Sequence, residues 1–73
     1  MKIIVENSNR IVAEVGVAAM PTYAEITAIA VDFRRLTALI SHEECDKALR
    51  LACSKHIKIA PQPTGAIVGR LAL

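Results

Sequence analysis

"TYAEITAIAVDFRRLTALI", residues 22–40, is the stretch on which the fold of this 73-residue chain turns. Read as a helix, it opens with Thr22 and has Glu25 three residues on, the reciprocal pairing of a capping box. Ile26, Ile29, Phe33, Leu36 and Ile40 then recur at steps of three and four, which is one stripe of an α-helix. Read as a strand, residues 25–33 are favoured by the β-branched Ile26, Thr27, Ile29 and Val31. The helix is preferred. The strand alternative gives a sheet covered by a single helix.

As a helix, the segment has a second apolar side. Ala24, Ala28, Val31 and Leu39 lie roughly opposite the Ile-Phe-Leu stripe, which confines polar groups to narrow flanks. A helix that is apolar nearly all round is normally covered on both sides. In a chain this short, a second copy is the simplest cover.

Working outward, "KIIVENSNRIVAEVGVA" (2–18) reads as a β-hairpin. Ile3 and Val5 alternate with Lys2, Ile4 and Glu6, and Ile11, Ala13, Val15 and Val17 form an apolar face in the second arm. "NSNR" supplies the turn, because Asn tolerates the left-handed region. "SHEECDKALRLACSKH" (41–56) reads as a second helix, with Ser41 as N-cap and Glu44 completing another capping box. Its acids fall in the first turn and its bases in the last, as the helix dipole favours. Ile57 and Ile59 then alternate around Lys58, Pro61 and Pro63 bracket a turn ending at Gly65, and a final strand runs through 66–72 with a bulge at Gly69.

The expectation is one small α+β domain over residues 1–73, in the order β-β-α-α-β-β, with two helices packed on one face of an antiparallel sheet. Apolar residues make up 53% of the chain, but only Tyr23 and Phe33 are aromatic. A small domain has little interior to hide so much aliphatic surface, which again points to self-association. A net charge of +2 selects no particular partner.

Two cysteines are too few for a secreted disulfide scaffold. The most apolar run, residues 15–31, carries Pro21 and Glu25 near its middle, so no membrane span is expected. Glu6 and Arg10 come too early for a signal peptide. A cytoplasmic protein is the expectation.

The one concentration of soft ligands is His42, Cys45, Cys53 and His56. On a helix Cys45 and Cys53 are ~12 Å apart, whereas two thiolates on one zinc lie within ~4 Å. One helix therefore cannot close the site. His42 with Cys45, or Cys53 with His56, each at i,i+3, supplies half a site that a second subunit would have to complete, and no metal or cofactor is expected. Cys45, Ala48, Leu49, Ala52, Cys53 and His56 share one stripe, and cysteine packs as a small apolar residue. A packing face explains the pattern.

Catalytic signatures are also missing. The three glycines are scattered, a Cys–His pair finds no oxyanion donors, and Glu25 and Asp32 read as a solvated flank beside Arg35. No catalytic residue is assigned.

A non-enzymatic protein–protein interaction module remains, acting as a homo-oligomer of a small regulatory or inhibitory kind, with a further, unidentified protein partner. Its expected interface is Ala28, Val31, Leu39 and Leu51, a contiguous apolar surface that a monomer would leave bare. The alternative is a small DNA- or RNA-binding protein using Arg34, Arg35, Lys47, Arg50 and Lys55. Against it stand Glu43, Glu44 and Asp46 on the same helix, and the shortage of aromatic residues for base stacking.

Overall fold

The computed structural model describes residues 1–39, 42–62 and 64–73. Strands β1 (Lys2–Asn7) and β2 (Arg10–Gly16) form the hairpin, followed by helix α1 (Tyr23–Thr37). A 3₁₀ turn over His42–Glu44 leads into helix α2 (Cys45–Ser54), and strand β3 (Ile67–Ala72) completes the chain. Residues 22–37 are therefore a capped helix and not a strand. Glu25 N–H donates to Thr22 Oγ1 at 3.1 Å, and Thr22 N–H donates back to Glu25 Oε1 at 2.8 Å.

The hairpin turns at Ser8 and Asn9, whose φ angles of 51° and 67° are both positive. That is the primed geometry whose twist matches the flanking strands. Register slips between Val5 and Glu6, which pair with Ala13 and Ile11 and leave Val12 as the extra residue. This bulge corrects one expectation. Ala13, Val15 and Val17 line the core, but Ile11 lies beyond the slip and is exposed.

The sheet has three strands in the order β2-β1-β3, with β1 antiparallel to β2 and parallel to β3. The expected four-stranded antiparallel sheet is not formed, for two physical reasons. First, two helices carry the chain out and back, so β3 begins at the end of the sheet where β2 stops. Ile67 pairs with Lys2, and Lys2 pairs with Gly16. β3 is thus antiparallel to β2, and because β1 lies between them, β3 is parallel to β1. Second, the segment around Ile57 and Ile59 reaches the outer edge of β2 at a single bridge, Val17 to Ile59. Ala18 N–H donates to the Lys58 carbonyl at 3.0 Å and Ala60 N–H to the Gly16 carbonyl at 2.9 Å. Pro61 follows at once and has no N–H with which to continue the ladder.

Both helices lie on one face of the sheet, α2 against β2 and α1 against α2. The core between them holds Ile3, Val5, Ala13, Val15, Val17, Ile29, Phe33, Leu49 and Leu71 with the small residues of α2. Toward β3, α1 comes close above the sheet. Ile26 Cδ1 lies 3.5 Å from the position a Cβ would take at Gly69. Gly69 also follows the second bulge, where Lys2 and Ile3 pair with Ile67 and Gly69 and leave Val68 over. Gly65 has φ +82°, and a Cβ there would meet Met1 N at 3.2 Å, so the turn before β3 needs a glycine.

The opposite face is covered differently. Ile4 points away from the helices, yet it is fully buried. Its cross-strand neighbours are Glu14 and Arg70. Lys2 and Glu6 flank it along β1, so the stems of four charged side chains supply the cover. They pair diagonally, Lys2 with Glu14 at 3.7 Å and Arg70 with Glu6 at 3.4 Å.

Among the described residues, no helix is long and apolar enough to cross a membrane.

Candidate interaction surface

The cysteine stripe of α2 faces inward. Cys45, Ala48, Leu49, Ala52 and Cys53 are all buried and both thiols are free. Burial pushes the Cys53 thiol up to about 11, so it stays protonated and unreactive. Among the described residues, no group of three metal-ligating side chains comes together. The expected cap Ser41 and the stripe residue Ile40 lie outside the described residues, as do Pro63 and the His42 side chain. The described start of α2 is Cys45, with Glu44 at the N-cap making no side-chain cap bond.

His56 departs from the stripe. It lies beyond the last turn of α2, exposed, with its Nε2 2.5 Å from Asp32 Oδ2 on α1. α2 thus runs back along α1, and this pair ties its end to the middle of α1. The hydrogen bond from His56 holds the Asp32 carboxyl below its ordinary value of 3.8, with lesser help from Lys55 and Arg35. Asp32 and His56 are 24 residues apart, and local spacing carries no sign of their pairing.

The sign of the linkage follows from the lowered value. The unfolded chain takes up a proton at Asp32 before the folded chain does, so this contribution is complete above the ordinary pKa. It is lost as pH falls below about 3.8 toward the folded value. Asp32→Asn is therefore expected to flatten the acid limb of stability, measured as urea midpoint against pH. An unchanged limb would show that the pair contributes nothing there.

His56 also borders a cleft of about 230 Å³ with Met20, Glu25, Ile57 and Lys58. No hydroxyl or thiol nucleophile lines this cleft among the described residues, and Glu25 is already engaged by Thr22.

The expected interface residues occupy the outer surface of the helix layer. Ala28 is half-buried, while Val31, Leu39 and Leu51 are 41%, 84% and 55% exposed. With His56 beside Asp32, Leu51 falls level with the last turn of α1, at the same end as Leu39. Val31 lies ~9 Å back along α1 from Thr37. Next to Leu51 a groove of about 460 Å³ is lined by Lys47, Arg50, Leu51 and Ser54. Leu51 and the methylene stems of Lys47 and Arg50 give it apolar walls with charged tips at hand, a form suited to an apolar guest with a polar rim.

The five basic residues are all exposed. Arg35 and Lys55 lie in the field of Asp32, and Lys47 and Arg50 line the groove. Arg34 is ~100° round α1 from Arg35, on the flank away from α2. Glu43, Glu44 and Asp46 are exposed at the start of α2.

No protein-family model matches the chain, and neither the curated proteins nor the solved structures contain a significant match.

Proposed function

We propose that this chain is a non-enzymatic protein-interaction module that self-associates and presents an apolar helix-layer surface to a further protein. The observation carrying this reading is the exposure of Val31, Leu39 and Leu51 on one layer, with the apolar groove beside Leu51. A partner seated on this layer would take these aliphatic groups out of water. Arg35 and Lys55 face Asp32, and Arg34 stands on the other flank of α1, which weighs against a phosphate-tracking face.

The discriminating experiment is chromatography of the protein on immobilised DNA and RNA at low salt, beside a measurement of its native mass. The reading predicts no salt-sensitive retention and a mass above that of one chain. A monomer that is retained, is released by salt, and loses retention on charge reversal of Arg34, Arg35 and Arg50 would replace this reading with the nucleic-acid one.

A further inference from the structure

The self-association half of that reading can be given a surface of its own. We infer that a second copy docks on the side of the molecule formed by the outer edge of β3 and the adjoining flank of α1. The two β3 strands pair antiparallel about a two-fold axis, giving a continuous six-stranded sheet. The two α1 helices pack side by side above it.

The two sheet edges differ. β2 is closed at one end by the Val17–Ile59 bridge, whereas β3 is the end strand and has no neighbour on its outer side among the described residues. Of the usual guards of an edge, β3 carries only the bulge at Val68. It contains no proline, and its one charge, Arg70, is engaged by Glu6 within the same chain.

Directly above, Ile26 sits over Gly69, so the flank of α1 facing away from α2 stands over this edge. That flank carries Tyr23, Thr27, Ala30 and Arg34, spaced four, three and four residues apart, a single stripe on a helix. Tyr23 is 86% exposed, and Thr27 spends its hydroxyl on the Tyr23 carbonyl at 2.9 Å, which leaves its methyl group outward.

The stripe is complementary to itself. Antiparallel packing places Tyr23 against Arg34 of the second copy, an aromatic face against a guanidinium, with Thr27 against Ala30 where the helices approach most closely. The centre of this stripe lies between residues 28 and 29, within ~4 Å along the axis of Ile26. The strand demands nearly the same centre. Pairing about Arg70 would set two like charges directly opposite, which is unfavourable. Pairing about Gly69 sets Arg70 against Val68 of the second copy, and regular pairing ends there because Val68 is the bulged residue. Gly69 is the residue beneath Ile26, so one axis serves both layers.

The area suffices only if both layers contribute. One side of a molecule with 4720 Å² of accessible surface carries about a sixth of it, ~790 Å², and a standard stable interface buries ~800 Å² per partner.

Two variants test the docking surface. Thr27→Arg places a charged side chain at the closest approach of the helices, and is expected to give a monomer with an unchanged far-ultraviolet circular dichroism spectrum. Tyr23→Cys combined with Arg34→Cys is expected to give disulfide-linked dimers under mild oxidation, while either single variant gives none. A wild-type dimer that survives Thr27→Arg and does not cross-link would overturn this surface and leave the self-association reading standing. A wild type that stays monomeric at every concentration would overturn both.

Discussion

Phe33→Ala is expected to remove about 3–5 kcal/mol of stability, the range for truncating a buried aromatic side chain. Phe33 is 1% exposed and is the only phenylalanine in the chain. It sits in the core with Ile29, the strand residues Ile3, Val5 and Val15, and the small side chains of α2. Alanine and cysteine are too short to collapse into the space the ring would vacate, so most of the cavity would persist.

A domain of 73 residues has a total stability of ~4–11 kcal/mol at the usual ~0.05–0.15 kcal/mol per residue. The loss is therefore a large share of the whole. Thermal unfolding followed by circular dichroism should show Tm lowered by at least ~12 °C, or no cooperative transition at all. A shift of only a degree or two would mean that α1 is not held to the sheet by this ring.

Ile4→Ala is expected to cost about 2–4 kcal/mol, as at a core position, although Ile4 faces away from both helices. Its burial is complete, and it lies under side chains that would individually be dispensable. Lys2, Glu6, Glu14 and Arg70 form partly exposed ion pairs, and such pairs contribute ~0–1 kcal/mol each. Glu14→Ala and Arg70→Ala should accordingly each cost under ~1 kcal/mol, whereas removing the isoleucine strips apolar area from beneath all four stems. Urea midpoints of the three variants provide the comparison. Equal, small costs at all three positions would show that the outer face of the sheet is not a packed layer.

The contrast between Ile3 and Ile4 marks where the sequence is legible and where it is not. Alternation assigns Ile3 and Val5 to the helix side, and they are there. Nothing local says that Ile4, on the opposite face, would be covered by charged residues from two other strands. Elements governed by short-range chemistry are readable in the same way. The Thr22–Glu25 box and the 3–4 stripe mark α1, and the inward stripe of α2 explains both cysteines as packing groups.

What could not be read depends on partners distant in the chain. The parallel pairing of β3 with β1 joins residues more than 60 positions apart, and follows only once two helices are known to return the chain to its starting end. The bulge at Val12, which turns Ile11 outward, belongs to pairing with β1 and not to the local pattern of β2. Ile57 and Ile59 alternate as a strand should, but Pro61 limits them to one bridge. The Asp32–His56 pair needs two helices to meet before it exists. As for the surface, Val31, Leu39 and Leu51 are exposed. The flank bearing Tyr23, Thr27, Ala30 and Arg34 acquires meaning only when β3 is found beneath it.

Self-association is read without intermediaries by native mass spectrometry without chelator, run across a range of protein concentrations. The expected result is a metal-free species of twice the 7.9 kDa chain mass, with its share rising with concentration. A single 7.9 kDa species at every concentration would contradict it.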